Sequence, residues 1–233
     1  TGDYAATIAG TLDPEVPVYA LPAVGLRPGE TPLRTVPEMA RSYIRAMRGV
    51  QPQGPYRVAA WSAGGQVAYE IAQQLLRTGD EVSFLGLIDT LYRAHAIVDE
   101  QRKWLGPGEH PQARREWAFL LVMLQHDLGL SAREVKHLAR LDSVEAVLTR
   151  LAADEGLPAS FDLETYQRRN ATQQAFVEAI SAYQPTAIDT PVHLFAASES
   201  LRLHPLGWRD LLGSQLRITT IAADHQSIMR PPH

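Results

Sequence analysis

The 233-residue sequence contains no cysteine, which excludes a disulfide framework, a zinc-finger or iron–sulfur site and a cysteine nucleophile. It also lacks an excess of charge of either sign, since 22 Lys and Arg stand against 26 Asp and Glu. That balance argues against a surface for nucleic acid or anionic lipid. No apolar run reaches the roughly 18 residues that span a bilayer, and no signal-peptide core opens the chain. These absences predict a cytoplasmic protein that binds neither nucleic acid nor membrane.

Nucleotide and metal signatures are missing as well. The sequence has no P-loop, no dinucleotide-binding glycine fingerprint and no residues spaced as metal ligands. We therefore expect no metal and no permanently bound cofactor. With 45% hydrophobic and 21% charged residues, the composition is that of a folded globular protein. Its length suits one large domain, or one domain with an insertion.

Short apolar and β-branched runs alternate with helical patterns near both ends of the chain. Helices are predicted over residues 35–50, where Thr35 and Glu38 form a capping-box pair, and over residues 64–77. This alternation indicates βαβ units, and therefore an α/β fold with a mostly parallel central sheet flanked by helices. The strands are predicted at residues 16–21, 56–61, 82–88, 191–197 and 216–222.

The hundred residues between the third and fourth of these strands carry almost no strand signal. We divide the chain into a core, residues 1–91 and 186–233, and a helical insertion over one end of the sheet, residues 92–185. The capping-box pairs expected in the insertion are Ser131 with Glu134 and Asp142 with Glu145. Its predicted helices cover residues 111–127, 131–140, 143–154 and 161–183.

The turn between the second predicted strand and the helix after it carries Ala60-Trp61-Ser62-Ala63-Gly64. A serine flanked by small residues between a strand and a helix is the pattern of a nucleophile elbow. Such a turn leaves little room two positions before and after the serine, which predicts crowding at Ala60 and Gly64. It also projects Ser62 at the carboxyl edge of the sheet and points the Ala63 N–H toward a developing oxyanion. Ala60 departs from the glycine of the strict motif.

A serine hydroxyl needs a base, and the base needs an orienting acid. Among the eight histidines, His225 is best placed because it follows the last predicted strand, where hydrolases with this elbow carry the base. For the acid, Asp89 and Glu199 each follow a strand, whereas Asp224 adjoins the base and points poorly toward it. The pattern favours Asp89, which ends an otherwise apolar strand, and leaves Glu199 open. The other histidines are His95, His110, His126 and His137 in the insertion, His193 in a strand, His204 in a polar connection and His233 at the terminus.

Taken together, these motifs resemble the type I thioesterase domains that terminate nonribosomal peptide synthetases, which are members of the α/β-hydrolase superfamily. The resemblance extends over the whole chain and is weakest in the insertion. A Trp before the serine, as at Trp61, is more typical of peptide synthetase domains than of polyketide ones. The matching segments are residues 18–26, 50–56, 61–65, 67–70, 87–90 and 224–229.

The resemblance implies a chemistry and a partner. Asp89 matches the family's acid, and Ser62 would accept a peptidyl or depsipeptidyl chain from the phosphopantetheine thiol of an upstream carrier domain in the same polypeptide. His225 would act first as base and then as acid to the departing thiol. Attack by water would release a linear acid, and attack by an internal amine or hydroxyl would release a macrocycle. The insertion would form a mobile lid that shapes the pocket and excludes water.

The resemblance also implies an opening strand with a glycine-rich loop, which supplies a second oxyanion N–H, and a final helix; this sequence has neither. We therefore assign only Ala63 to the oxyanion hole, and interpret the chain as a monomeric domain excised from a larger synthetase. A stand-alone editing thioesterase or another serine esterase with the same triad is the alternative. A non-catalytic binding module is disfavoured because all three triad positions are filled.

Overall fold

The computed structural model describes residues 3–92, 130–138, 140–141, 143–153, 162–203 and 207–230. They belong to two compact units. The first unit draws on Thr1–Ala23, Leu33–Ala94 and Phe176–His233, and the second on Val24–Pro32 and His95–Ala175. The first unit thus takes in residues 176–185 and lacks residues 24–32. The division into core and insertion, and the role of the insertion as a lid, stay predictions. No helix in the described ranges is long and apolar enough to cross a membrane.

A parallel sheet forms the centre of the first unit. Its carboxyl ends are aligned, since Trp61 lies opposite Ile88 and Ala197 lies opposite Ile221. The loops that leave these ends therefore meet at one edge of the sheet. Four predicted strands are confirmed to within one residue at each end. Over the described residues the strands, in spatial order, are β1 (Tyr56–Trp61), β2 (Val82–Ile88), β3 (Val192–Ala197) and β4 (Leu216–Ile221).

The strand predicted at residues 16–21 is wrong, because the chain has no regular secondary structure there. Pro17 and Pro22 have no N–H to donate to a sheet ladder, which restricts where such a segment can pair. Its apolar side chains are correspondingly exposed: Tyr19 is 65% and Leu21 is 37% accessible. Within the described residues, β1 therefore has a strand neighbour on one side only.

Helices flank the strands as predicted, and local capping fixes where they begin. Thr35 Oγ1 accepts the Glu38 N–H at 3.3 Å, which confirms Thr35 as the N-cap of α2 (Val36–Val50). The Glu38 carboxylate pairs with the Thr35 hydroxyl at 2.8 Å. The helix α3 (Gly64–Arg77) connects β1 to β2 and buries most of its residues. The helices of the described residues are α1 (Asp3–Thr11), α2 (Val36–Val50), α3 (Gly64–Arg77), α4 (Ala132–Leu138), α5 (Val144–Ala153), α6 (Leu163–Ala182), α7 (Ser198–Leu203) and α8 (Trp208–Leu212), with 3₁₀ turns at Gly213–Gln215 and Ser227–Met229.

The second unit has its own small apolar core. The Ser131–Glu134 capping box is confirmed, since Ser131 N–H donates to the Glu134 carboxylate at 2.7 Å. Ser143 Oγ accepts the Ala146 N–H at the start of α5. Asp142 and the predicted helix 111–127 lie outside the described residues. The side chains buried in this core are Leu138, Val147, Leu148, Leu151 and Tyr166.

A buried polar network ties α3 to the chain between α6 and β3. Tyr183 Oη donates to the Glu70 carboxylate at 2.7 Å, and Glu70 is only 4% exposed. Gln73 Nε2 donates to the Thr186 carbonyl at 3.0 Å. Burial, and then the Glu70 carboxylate, raise the pKa of Tyr183, so the phenol stays protonated and keeps donating.

Removing this donor should cost stability, because it leaves a buried carboxylate with one partner fewer. We expect Tyr183→Phe to lower the free energy of unfolding by about 1–3 kcal/mol, measured by urea denaturation at neutral pH. Tyr19→Phe is the matched control, since Tyr19 is exposed and should lose less than about 0.5 kcal/mol. Equal stability of Tyr183→Phe and the unmodified protein would contradict the role given to this network.

Candidate active site

Ser62 lies on a strained turn between β1 and α3. Its φ is 56°, in the left-handed region that a residue with a side chain rarely occupies. The Ser62 N–H donates to the Ile88 carbonyl at 2.8 Å, so the neighbouring strand holds the turn in place. Strain of this kind persists only where the surrounding structure enforces it, and it is common at active sites. The turn therefore has the geometry expected of a nucleophile elbow.

The crowding at this turn differs from the prediction. A Cβ added at Gly64 would meet the Ala60 Cβ at 3.6 Å, which is ordinary van der Waals contact, so the expected crowding between these positions is wrong. One residue further on, a Cβ at Gly65 would lie 2.8 Å from the Thr90 Cβ. Only glycine fits at Gly65, because the Thr90 side chain occupies that space.

Asp89 directly follows β2, and several groups donate hydrogen bonds to its carboxylate. Its own φ is 46°, and its side chain is only 1% exposed. Asp89 Oδ1 accepts the Ala197 N–H at 2.9 Å, and Oδ2 accepts the Ser200 hydroxyl at 2.5 Å. Burial raises the pKa of Asp89, but the hydrogen bonds from His225, Ser200 and Ala197 outweigh it and hold the pKa below its ordinary value. The carboxylate is therefore ionised near neutral pH.

His225 bridges this carboxylate and the serine. Its Nδ1 lies 2.6 Å from Asp89 Oδ2, and its Nε2 lies 2.8 Å from Ser62 Oγ. An ionised carboxylate only accepts hydrogen bonds, so Nδ1 carries the proton of a neutral ring and Nε2 is left to accept the serine hydroxyl. The structure thus brings together the three residues that the sequence singled out.

The ring of His225 is fixed from a second direction by Trp61. The two rings stack with centroids 4.8 Å apart and an interplanar angle of 25°. The indole Nε1 also donates to the His225 backbone carbonyl at 3.1 Å. Beyond the histidine, Ile228 and Met229 pack in an apolar cluster with Ala197 and so anchor the loop. The imidazole is therefore held by both its main chain and its ring face.

The competing acids lie elsewhere. Glu199 is exposed on α7, and its backbone N–H pairs with the Ala223 carbonyl. Asp224 instead accepts the Gln226 and Ser227 N–H groups at 2.7 and 2.8 Å and caps the 3₁₀ turn after the histidine. These two backbone hydrogen bonds lower the pKa of Asp224.

The remaining histidines do not contribute to this cluster in the described part of the chain. His193 stacks on Phe84 within the sheet, and His137 is exposed on α4. The other five, His95, His110, His126, His204 and His233, lie outside the described residues.

Ala63 caps α3 directly after the serine. The first backbone N–H groups of a helix have no partner within the helix, and they attract negative charge. Ala63 thus lies at a helix start of this kind, and its place in an oxyanion hole stays a prediction.

Sequence reasoning missed two residues that shape this site. Ser200 contacts Asp89 across 111 residues of sequence, and no local pattern marks it. Trp61 was noted only as typical of a family, whereas its contacts with His225 depend on a loop 164 residues away. In each case the contact exists only once the sheet has formed.

The order of strands, the crossover helix and the turn at Ser62 define an α/β-hydrolase fold. Residues 4–233 match the family model described as "Thioesterase domain". The chain therefore belongs to the thioesterase domain family.

Curated relatives are long synthetases. The nonribosomal peptide synthetase btyA of Aspergillus terreus is 28% identical over 195 residues, which is 83% of this chain and 20% of that protein. The inactive atromentin synthetase invA3 of Paxillus involutus is 27% identical over 233 residues, 94% of this chain and 23% of that protein. The chain thus spans about a fifth of the length of these relatives.

Solved structures agree on the fold. The four-domain nonribosomal peptide synthetase holo-AB3403, bound to AMP and glycine, matches with a TM-score of 0.73 and 26% identity over 97% of this chain and 17% of that chain. The wild-type Vlm2 thioesterase domain matches with a TM-score of 0.60 and 22% identity over 90% of this chain and 76% of that one.

The Ser200 hydroxyl offers a test of the electrostatics at Asp89. Its removal should raise the pKa of Asp89 in the folded state. A carboxyl group whose pKa is lower in the folded than in the unfolded state stabilises the fold at pH values above its unfolded-state pKa, near 4. That stabilisation is lost as the pH falls through the folded-state pKa. We expect Ser200→Ala to lower the free energy of unfolding by roughly 1–3 kcal/mol at neutral pH. The unfolded state is common to both proteins, so the deficit should shrink as the pH falls through the folded-state pKa of Asp89, which lies below its ordinary value.

Urea unfolding at a series of pH values measures this deficit. Ser214→Ala is the control, because Ser214 is exposed in a 3₁₀ turn and its loss should change stability little at any pH. A deficit for Ser200→Ala that stays constant down to the lowest pH at which both proteins fold would contradict the assigned effect on Asp89.

Proposed function

We propose that this domain releases a peptidyl or depsipeptidyl chain from the phosphopantetheine thiol of a carrier domain by way of an ester on Ser62. The observation that carries the proposal is the continuous contact from Ser62 Oγ through His225 to Asp89, with distances of 2.8 and 2.6 Å. Hydroxyl, imidazole and buried carboxylate in this order are the arrangement that activates a serine for acyl transfer.

The first half-reaction forms the ester. Ser62 Oγ attacks the thioester carbonyl while its proton passes to His225 Nε2, and Asp89 stabilises the imidazolium. The Ala63 N–H donates to the oxyanion of the tetrahedral intermediate. When the C–S bond breaks, His225 returns the proton to the departing thiol.

The second half-reaction releases the chain. Water or an internal amine or hydroxyl attacks the ester, and His225 takes its proton. Ser62 Oγ then leaves with that proton, which restores the starting state. Water gives a linear acid and an internal nucleophile gives a ring, so the product depends on which nucleophile the pocket admits.

The relatives support a substrate held on a carrier. The names of several are those of peptide or atromentin synthetases, and this chain corresponds to about a fifth of their length. A release domain within such a synthetase receives its substrate from a carrier in the same polypeptide. No resident cofactor enters the proposed steps, because the phosphopantetheine arrives with the substrate.

A synthetic peptidyl pantetheine thioester tests the proposal. We expect the unmodified protein to release the chain through an acyl-enzyme visible by intact-protein mass spectrometry. Ser62→Ala should form no acyl-enzyme and should lower the release rate by roughly 10³-fold or more. Mass spectrometry of the product identifies linear acid or ring.

Ser214→Ala serves again as the matched serine control and should release product at the unmodified rate, because Ser214 lies on the exposed 3₁₀ turn. Release at the same rate by Ser62→Ala would overturn the proposal. Faster turnover of short acyl-carrier thioesters than of peptidyl thioesters would instead favour an editing thioesterase.

A further inference from the structure

Thr90 directly follows the acid and is fully buried. Its hydroxyl donates to the Ser62 carbonyl oxygen at 2.9 Å, and Oγ1 also lies 3.3 Å from the Ile88 carbonyl. The residue thus links the turn that carries the acid to the turn that carries the serine, across 28 residues of sequence. Neither its burial nor this bond is explained by the roles of Ser62, His225 and Asp89.

The Ser62 carbonyl belongs to the same peptide unit as the Ala63 N–H. A peptide unit is planar, so a bond that fixes the direction of the C=O also fixes the direction of the N–H at its other end. Hydrogen bonds to a carbonyl also polarise the amide and strengthen its N–H as a donor. The Gly65 N–H gives the same oxygen a second bond at 3.0 Å. The Thr90 hydroxyl therefore acts on the group proposed to receive the oxyanion.

Thr90 is itself held on several sides. Trp208 Nε1 donates to the Thr90 carbonyl at 2.8 Å. The amide of Gln66 donates to the carbonyls of the next two residues, Leu91 and Tyr92. The absence of a side chain at Gly65 makes the space that the Thr90 side chain fills. The hydroxyl is thus fixed in position before any substrate arrives.

We propose that Thr90 is a positioning residue, whose hydroxyl holds the Ser62–Ala63 peptide so that the Ala63 N–H faces the oxyanion formed on the thioester. This inference rests on the proposed function. It assigns to Thr90 an effect on the transition state that a purely structural threonine would not have. Because the oxyanion develops only as the serine attacks, the effect falls on the turnover rate and not on substrate binding.

Thr90→Val removes the hydroxyl and keeps the shape of the side chain. With the peptidyl pantetheine thioester we expect kcat to fall about three- to tenfold with KM unchanged, since one oriented hydrogen bond is lost. Thr90→Ser restores the hydroxyl and should recover kcat to within about twofold of the unmodified protein. Inhibition by hexylboronic acid, which forms a tetrahedral adduct with a serine, should weaken by a similar factor in Thr90→Val only.

Tyr183→Phe is the matched control for lost stability, because it removes a buried hydroxyl away from the serine. It should leave kcat and boronate inhibition unchanged. If Thr90→Val does not fold, Thr90→Cys replaces it, since a thiol is a weaker donor and should change kcat in the same direction.

Two failures can be told apart. If the unmodified protein releases the chain and Thr90→Val matches it in kcat and boronate inhibition, the role of Thr90 is wrong and the proposed function stands. If the unmodified protein neither releases the chain nor reacts with a fluorophosphonate at Ser62, the proposed function is wrong and this inference falls with it.

Discussion

The parallel pairing of β1 with β2 is the constraint on which the rest of the site depends. It places the ends of the two strands side by side, and each strand is followed by a residue in the left-handed region, Ser62 and Asp89. The Ser62 N–H bonds the Ile88 carbonyl, and the Asp89 N–H bonds the Phe195 carbonyl. Hydrogen bonds to the neighbouring strands therefore hold both strained turns, and the backbone sets the directions of the Ser62 and Asp89 side chains.

The electrostatics of the site follow from the same arrangement. The burial of Asp89 works against its charge, because desolvation raises the pKa of a carboxyl group. Three donors, Ala197 and Ser200 after β3 and His225 after β4, reverse that balance. The imidazole, by contrast, is 40% exposed. The charge of Asp89 is thus kept from water, while the imidazole of His225 can be reached from outside.

Short-range patterns in the sequence predict those strands, helix starts and turns that interactions between neighbouring residues determine. The runs that became β1 to β4, the Thr35 cap and the serine between a strand and a helix all follow from short-range periodicity and turn chemistry. The prediction of a strand at residues 16–21 is wrong because Pro17 and Pro22 limit hydrogen bonding to a neighbouring strand. The apolar character of the segment does not by itself reveal this limit. Crowding was predicted at Ala60 and Gly64 and is found at Gly65, because the side chain of Thr90, which follows the end of β2, fills the space there. The contacts of Ser200 and Trp61 also connect distant segments, so no sequence window contains both partners.

The separation of Ser62 and His225 by 163 residues has a consequence for the newly made chain. During synthesis the serine leaves the ribosome long before its base, and the base is anchored only when β4 has paired with β3. Until then Ser62 is an ordinary alcohol, too weak to attack a thioester. Under the proposed function, Ser62 therefore cannot take an acyl chain until the loop that carries His225 is anchored beside it.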